Sequence, residues 1–490
     1  MTFVDEPDLV PGGAVDLRAE RRNVITMAIP VVITTSSRAL MDIADFVMIT
    51  WLNVDAAQAA ILPAQMIMWS YIVLGMGVVS MVNTFASQAL GRQRFQDCSA
   101  YAWQSFYIAA LVGALGLAAR PWLPQLISLS RHDPAVQAME LAYARVALLT
   151  VAPTLTSNGL ALFFIGVHRP WVAMWSAVEA NVVNVVISAV LMFGYLGWEP
   201  MGIAGAAWGT FVALCYRTLR LAVTMLSASM HRSYQSRTQW PPSWSKIRDL
   251  VRVGLPCGLH WISEVVVWAV FVNVLIGTNF GTAHLIATNA AWQYMRLAFM
   301  PAMGVGQALT ALVGRSIGAA SADRAMREAR HAVVLTLVYM GSLSLVYAVS
   351  GGRLIGAFND DPEVVRIGAG IMICAAVFQL FDAIGIVYHS ALRGAGDTFV
   401  PSVVFIAASW IIILGGGWGA ATVVPQWGSL GPWTAASGFI ASTSVFLWWR
   451  WRSRAWMTVD LFAVQPRPPA GKGRGLLSDT AVSTATGGGD

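Results

Sequence analysis

Hydrophobic residues along this chain occur in long runs that are separated by short polar segments. Twelve runs are long enough to cross a bilayer as an α-helix, which needs about 20 residues, and only a helix would satisfy their backbone hydrogen bonds in lipid. The predicted helices span residues 24–51, 59–88, 99–119, 138–167, 171–197, 203–229, 252–279, 283–313, 332–350, 367–392, 399–423 and 431–451. The pattern predicts an all-α polytopic membrane protein with twelve transmembrane helices.

Composition supports this prediction. Hydrophobic residues make up 57% of the chain and charged residues only 11%, whereas a soluble domain carries about 25% charged residues. The net charge of +6 comes from basic residues in the connecting loops, so we expect a lipid bilayer and no nucleic acid as partner. We expect no cleavable signal peptide in the first 23 residues, and the four cysteines have neither metal nor redox spacing.

The loops also predict the orientation of the chain. Most Lys and Arg side chains outside the helices fall in one set of loops, which includes Arg92, Arg94, Arg315 and Arg393. Positively charged loops remain in the cytoplasm, and an even number of spans places both ends of a chain on one side. We therefore expect a multi-pass protein of the cell (plasma or inner) membrane with both termini cytoplasmic.

One long polar interruption divides the chain into two halves of six helices each. The predicted parts are a cytoplasmic N-terminal segment (1–23), an N-lobe (24–230), a cytoplasmic linker (231–250), a C-lobe (251–455) and a disordered cytoplasmic tail (456–490). The tail is assigned by its content of Pro, Gly, Ser and Thr.

The two halves repeat one another. Three pairs of landmarks share nearly one offset: Pro30 and Pro256 (226), Gly91 and Gly318 (227), and Gly202 and Gly431 (229). Both halves start on the same side, so they are parallel and related by an axis along the membrane normal. Such repeats are typical of transporters, with the substrate site between the halves near the bilayer midplane.

Several motifs resemble one known family over residues 20–450. They are "ALRGAGDTFVP" at 391–401, "SQALGR" after helix 2, "LVGRSIGAA" after helix 8 and the helix 5–6 hairpin at 181–210. In order and spacing they resemble the multidrug and toxic compound extrusion (MATE) family, NorM-like branch. The resemblance implies a V-shaped pair of six-helix lobes that exports cationic or amphipathic compounds in exchange for H⁺ or Na⁺. It implies neither an enzyme nor a cofactor, and we expect a monomer.

The first helix carries three ionisable residues, although each costs at least about 2.5 kcal/mol in hydrocarbon. Arg38, Asp42 and Asp45 lie at i, i+4 and i+7, which places them on one face. The resemblance implies that Asp45, fifteen residues after Pro30, is the N-lobe carboxylate. We expect Asp45 to titrate or to bind cargo, and Arg38 and Asp42 to form a buried ion pair.

The second half carries two carboxylates at positions that the resemblance assigns to a cation site. Glu264 follows Pro256 by eight residues, and Asp382 precedes Arg393 by eleven. The resemblance implies that this pair binds the coupling ion, either H⁺ or Na⁺. Carboxylates suit the task because burial and a neighbouring cation shift their proton affinity in opposite directions.

Two positions depart from the sodium-dependent pattern of the family. Asn184 matches the family, but Ser188 stands where sodium-type members often carry Asp. Phe378 stands where NorM-like members carry a Tyr that helps to coordinate the cation. These departures favour proton coupling.

Other polar residues of the predicted helices have two interpretations. Gln293 and Arg296, at i and i+3, either line the central cavity or join helix 8 to a neighbouring helix. His260 and His389 either relay protons or are hydrogen-bonded within the bundle.

Two other functions remain open at this point. A flippase for lipid-linked oligosaccharide or peptidoglycan precursors would belong to the same superfamily, but the mainly acidic buried charges favour cationic cargo. A membrane-embedded transferase would need a metal-binding acidic cluster, and the nearest candidate, "NDDPE" at 359–363, is better interpreted as the start of a helix.

Overall fold

The computed structural model describes residues 17–52, 54–128 and 132–462, and within them it confirms the all-α prediction. Some helices consist of consecutive segments, and α7 and α11 each include one π-helical segment. The twelve long helices are α1 (Leu17–Thr50), α2 (Asp55–Val79 and Met81–Gly91), α3 (Phe95–Ala118), α4 (Pro134–Ala147 and Val151–Gly166), α5 (Pro170–Phe193), α6 (Ile203–Met225), α7 (Trp244–Ala269, Val270–Ile276 and Gly277–Phe280), α8 (Thr282–Gly318), α9 (Ala322–Gly356), α10 (Pro362–Ala395), α11 (Phe399–Ala408, Ser409–Gly416 and Gly417–Val423) and α12 (Leu430–Arg452).

Ten of these helices are long and apolar enough to cross a membrane by themselves. The sixth span passes this test only together with the short helix Ala228–Tyr234, from which α6 is bent by 62°. The twelfth, α12, mixes its apolar residues with Trp, Ser, Thr and Arg. A helix of this composition needs neighbours to cover its polar positions.

Several helices continue beyond the apolar runs that predict them. α7 begins at Trp244 and α9 at Ala322, eight and ten residues before the predicted starts, because charged residues can extend a helix once it has left the hydrocarbon. α10 begins at Pro362, five residues before its predicted start. It begins inside the acidic motif 359–363, where Asp361 Oδ1 accepts a hydrogen bond from the Glu363 amide at 2.8 Å, so the interpretation of this motif as the start of a helix is confirmed.

The repeat in the sequence reappears as reciprocal packing between the lobes. A Cβ atom added at Gly91 would lie 2.1 Å from the Arg315 carbonyl oxygen, and one added at Gly318 would lie 2.2 Å from the Gln88 carbonyl oxygen. Gly91 and Gly318 are 227 positions apart, and so are Gln88 and Arg315. Each lobe therefore contributes an equivalent glycine and an equivalent carbonyl group to the contact, as a pseudo-twofold axis requires.

A second reciprocal pair lies deeper in the bundle. A Cβ at Gly77 on α2 would lie 2.3 Å from the Gly258 Cα on α7, and one at Gly304 on α8 would lie 2.6 Å from the Val32 Cα on α1. Gly77 and Gly304 are again 227 apart, and Val32 and Gly258 are 226 apart. The lobes thus meet along two equivalent helix crossings, α1 with α8 and α2 with α7.

We call the end of the bundle where α2 joins α3 and α8 joins α9 the arginine-rich end. Two ion pairs connect the lobes there. Lys246 Nζ lies 2.7 Å from Asp97 Oδ1, and the Arg327 guanidinium donates to both oxygens of Glu20 at 2.8 and 2.9 Å. Together with the glycine contacts, these pairs hold the lobes against each other at this end.

His168, in the loop between α4 and α5, adds a further contact between the lobes. Its Nδ1 lies 3.4 Å from Arg315 Nη1. Burial, followed by the charge of Arg315, lowers the pKa of His168 to about 3. The imidazole is therefore neutral at physiological pH and accepts a hydrogen bond from the guanidinium.

The predicted linker is packed against the N-lobe. Trp103 Nε1 on α3 donates to the Ser236 carbonyl at 2.8 Å, and the Ser243 amide donates to Gln104 Oε1 at 2.9 Å. These contacts fix the connection between the two lobes along α3.

The first seven residues of the tail predicted to be disordered include two packed aromatic side chains. Trp456 stacks on Trp451 with ring centroids 4.6 Å apart, and Phe462 is only 4% exposed. The rest of the predicted tail, from residue 463 onward, lies outside the described residues.

Candidate functional site: buried charges in both lobes

Asp45 lies in a polar cluster that three helices of the N-lobe form. It is 6% exposed, and Thr210 Oγ1 on α6 donates to its Oδ2 at 3.3 Å. When the carboxamide of Asn184 on α5 is oriented with its nitrogen toward the carboxylate, that nitrogen donates to Asp45 Oδ1 at 3.0 Å. The opposite orientation would place two oxygen atoms against each other. Sequence analysis predicted Asp45 and Asn184 for this site but missed Thr210.

Close packing of α5 on α6 makes this cluster. A Cβ added at Gly209 would lie 2.0 Å from Ser188 Oγ, so only glycine permits the approach at this point. The next residue, Thr210, thereby reaches both Asn184 and the carboxylate of α1. Ser188, at the position where sodium-type relatives carry Asp, is fully buried, and its Oγ lies 3.5 Å from the carboxamide atom of Asn184 that points away from Asp45, which is the oxygen in this orientation.

A second cation accompanies Arg38 in the N-lobe. Arg217 on α6 is 9% exposed, and both arginines line one small cavity of about 20 Å³. Arg217 follows Thr210 by seven residues, and Arg38 precedes Asp45 by seven. Because α1 and α6 are antiparallel and Thr210 contacts Asp45, this equal spacing brings Arg217 opposite Arg38. The predicted pairing of Arg38 with Asp42 remains a prediction, since the Asp42 side chain lies outside the described part of the chain. The sequence alone could have indicated Arg217 as a candidate, because it is an ionisable residue inside the predicted sixth helix.

Glu179 does not join the Asp45 cluster. Its Oε2 accepts hydrogen bonds from Tyr216 at 3.0 Å and from Arg220 Nε at 3.1 Å. It forms a partly exposed ion pair between α5 and α6.

The two carboxylates of the C-lobe are brought together across α7 and α10. Asp382 is 9% exposed and Glu264 is partly buried, and the two carboxylates are near enough to interact electrostatically. Among the described residues, no side-chain or backbone donor forms a hydrogen bond with either carboxylate. Two adjacent carboxylates in a desolvated site repel each other unless a proton or a metal cation lies between them.

Aromatic rings stand on one side of this pair. Trp268, one turn after Glu264, packs on Trp292 with centroids 4.6 Å apart and on Phe378 at 6.3 Å. Faces of such rings attract organic cations. Phe378, as the sequence indicates, brings no hydroxyl group to the site.

Two histidines stand on the other side of the pair, toward the arginine-rich end. His260 and His389 stack with ring centroids 5.1 Å apart. Neither ring nitrogen of His260 has a hydrogen-bond partner among the described residues. The expectation that these histidines are hydrogen-bonded within the bundle is therefore wrong for His260, and the relay remains a prediction.

Three further residues lie outside these clusters. Gln293 and Arg296 are exposed on α8. Arg393, which the sequence places among the basic loop residues, is instead 6% exposed, and its Nη2 lies 3.5 Å from Thr310 Oγ1. It is part of the packed end of α10.

Comparison with known protein families gives a match over most of the chain. The MatE family model matches residues 30–190 and 256–417, which is most of both lobes. The chain belongs to the MatE family. The two matched stretches begin at Pro30 and Pro256, the residues that mark the repeat in the sequence, so the duplicated unit of the chain is the MatE unit itself.

Curated MatE relatives are similar along most of their length. The "Probable multidrug resistance protein NorM" of Rhizobium meliloti is 27% identical over 80% of this chain and 85% of its own. The "Multidrug resistance protein PmpM" of Pseudomonas aeruginosa is 26% identical over 83% and 85%. The "Multidrug resistance protein MdtK" of Pectobacterium atrosepticum is 26% identical over 86% and 92%.

Solved structures share the MatE fold of twelve helices in a V-shaped pair of lobes. An outward-facing multidrug resistance MATE transporter of the MOP superfamily superposes with a TM-score of 0.81 at 18% identity, covering 92% of this chain and all of the other. A MOP superfamily transporter from Pyrococcus furiosus superposes with a TM-score of 0.80, also at 18% identity, covering 89% and 96%.

Proposed function

We propose that this protein is a secondary active multidrug efflux antiporter, which exports cationic or amphipathic organic compounds in exchange for H⁺ or Na⁺. The supporting observation is a buried carboxylate site in each lobe of a duplicated MatE fold. The names of the relatives NorM, PmpM and MdtK agree with this function. The acidic character of both sites favours cationic cargo over the phosphate groups of a lipid-linked precursor.

Exchange follows if cargo and coupling ion compete for the same negative charge. An organic cation that binds near Glu264 and Asp382 disfavours a proton or Na⁺ there, and the coupling ion disfavours the cargo by the same free energy. Transport then requires that the two lobes alternate between a state closed at the arginine-rich end and a state open there. In this proposal the arginine-rich end is cytoplasmic, and the protein works as a monomer in the inner membrane.

Proton coupling fits the C-lobe pair better than sodium coupling. Na⁺ needs several oxygen ligands, and Phe378, one turn from Asp382, provides none. Asp45, by contrast, has both oxygens occupied by Asn184 and Thr210, and in this proposal it titrates or binds cargo in the N-lobe.

The test is efflux of a fluorescent organic cation from proteoliposomes under a proton gradient or a sodium gradient imposed separately. Efflux that either gradient drives confirms the antiporter and identifies the ion. Absence of efflux under both gradients would contradict the proposal and favour the flippase.

A further inference from the structure

Arg217 has no role in the proposed exchange, although burial of a cation in the membrane needs an explanation. The side chain is 9% exposed, and its Nε has no hydrogen-bond partner. Among the described residues no carboxylate forms an ion pair with it. Even if Asp42 pairs with Arg38 as predicted, Arg217 still lacks a neutralising anion.

The cavity at Arg217 is too small for an organic molecule. Its volume of about 20 Å³ is enough for a single water-sized group. Besides the two arginines, it is lined by the polar residues Thr34, Ser37 and Asn181 and by five apolar residues. The hydroxyl groups of Thr34 and Ser37 donate to backbone carbonyls of α1, so the arginines provide its positive charge. A negatively charged group that reaches this cavity would face the guanidinium groups of both arginines.

A much larger apolar groove continues from this cavity. It lies between α1 and α5, has a volume of about 690 Å³, and shares Ser37, Met41 and Asn181 with the small cavity. Its other lining is almost entirely aliphatic and includes Leu40 and Val182, which are 63% and 60% exposed. A drug-sized ligand needs a site of this size.

We propose that this groove and cavity together bind amphiphilic cargo that carries an acidic group. The acidic group, a carboxylate or a phosphate, would contact Arg217 beside Arg38, and the apolar part would lie in the groove. The inference rests on the proposed efflux function and extends its cargo to anionic amphiphiles. The C-lobe carboxylates would retain the coupling ion, so acidic cargo would not compete with it directly.

Binding of a matched pair of fluorescent probes tests this proposal. The probes are 11-(dansylamino)undecanoic acid and its methyl ester, titrated onto the full-length protein in neutral detergent. We expect the acid to bind about tenfold more tightly than the ester, because a charge-assisted contact distinguishes the two. Arg217→Gln should abolish this preference, and Arg217→Lys should retain part of it. Arg220→Gln, one turn away on the surface of α6, should leave it unchanged.

Other variants separate the parts of the proposal. Val182→Trp should weaken acid and ester alike, because it fills the groove and leaves the arginines intact. Retained ester binding shows that Arg217→Gln is folded. Equal binding of acid and ester to the unaltered protein, or an acid preference that survives Arg217→Gln, would overturn the proposal.

Transport distinguishes cargo from a structural lipid. Gradient-driven efflux of the acid from proteoliposomes supports the cargo assignment. If the acid is displaced by phosphatidylglycerol and is not exported, the site holds an anionic lipid and the cargo assignment is wrong. Efflux of an organic cation in the same vesicles tests the antiporter separately, so the two proposals can fail independently.

A different observation concerns the arginine-rich end, where residues 455–462, which we call the latch, cross from the C-lobe to the N-lobe. Arg454, just before the latch, donates to Asp323 of α9 at 2.8 Å, and within the latch Trp456 stacks on Trp451 of α12. At the N-lobe the Phe462 ring lies 6.0 Å from Phe85.

Two arginines of the N-lobe cover the inserted ring of the latch. The guanidinium groups of Arg92 and Arg94 lie 4.9 and 5.2 Å from the centre of Phe462. Arg92 also forms an ion pair with Asp460 at 2.6 Å. We infer that the latch stabilises closure of the arginine-rich end, because separation of the lobes there must withdraw Phe462 from the N-lobe.

Cysteine accessibility tests the latch in the full-length protein. Ser87→Cys, introduced into a protein whose native cysteines are replaced by serine, reports on a fully buried position at the lobe contact. Phe462→Ala should raise its rate of maleimide labelling by about tenfold, as expected for loss of one buried ring. Phe462→Tyr should restore slow labelling, and Met457→Ala, an exposed position of the latch, should not change it. Unchanged labelling in Phe462→Ala would overturn the inference.

Discussion

The two lobes carry opposite charges at the same place in the fold. Arg38 follows Pro30 by eight residues, Glu264 follows Pro256 by eight, and the two prolines are equivalent in the repeat. The N-lobe carboxylate, Asp45, lies two turns further along α1. Duplication has thus preserved the helix crossings between the lobes, while the ionisable groups inside each lobe have diverged.

The carboxylates also differ in their surroundings. Asp45 accepts hydrogen bonds from Thr210 and Asn184. For Glu264 and Asp382 the described residues provide no donor, and their oxygens are available to an added ligand. The difference supports the proposal that the C-lobe pair exchanges a cation, whereas hydrogen bonds hold the carboxylate of Asp45 in place in the N-lobe.

The largest effect is expected from removing the C-lobe pair. The double substitution Glu264→Gln and Asp382→Asn should lower gradient-driven cation efflux on the order of a hundredfold, because it removes the charge for which cargo and ion compete. Glu363→Gln, at the exposed start of α10, is the matched control. Normal export by the double variant would show that the C-lobe does not couple transport.

Where the lobes are equivalent, equal substitutions should have equal effects. Gly91→Ala and Gly318→Ala each place a methyl group against a carbonyl oxygen of the other lobe, which should cost about 2 kcal/mol of stability. Reversible unfolding in mixed micelles measures this, and Gly419→Ala, with no atom within 4 Å of its added Cβ, is the control. Clearly unequal losses would show that the two halves of this reciprocal contact between α2 and α8 are not equivalent.

Substitution of the N-lobe carboxylate should have a smaller effect. Asp45→Asn should lower efflux about tenfold and change its pH profile, since one titrating group is lost. Thr210→Val should reduce efflux less, because Asn184 still holds the carboxylate. Glu199→Gln, in the exposed loop before α6, serves as the control. Full efflux with an unchanged pH profile in Asp45→Asn would remove this residue from the mechanism.

The smallest effects are expected at the ion pairs of the arginine-rich end. Glu20 and Lys246 occupy equivalent positions, 226 apart, with opposite charges and opposite partners. Because both pairs are near the surface, Glu20→Gln and Lys246→Gln should each cost less than about 1 kcal/mol. The loss should shrink in high salt, which unfolding at two ionic strengths measures. A loss that salt does not change would show that packing, not charge, is responsible.

Much of the fold and part of the candidate site could be predicted from particular residues. The offset between Pro30 and Pro256 predicted a duplication that the glycine contacts then display at atomic detail. The i, i+4, i+7 spacing identified Asp45 as a residue that faces the lobe interior. Thr210 and Arg217 were missed because their roles depend on which face of α6 lies against α1.

The sequence by itself determined the membrane class, the spans, the repeat and the presence of buried carboxylates. These properties are local. Each apolar run must form a helix in lipid, and each charge within it adds a free-energy cost of insertion that depends little on the rest of the chain. Only the tertiary structure decided that Thr210 holds Asp45, that Arg217 stands beside Arg38, and that Phe462 enters the other lobe. These contacts join residues far apart in the chain, and the packing of whole helices, not the residues' own neighbours in sequence, brings them together.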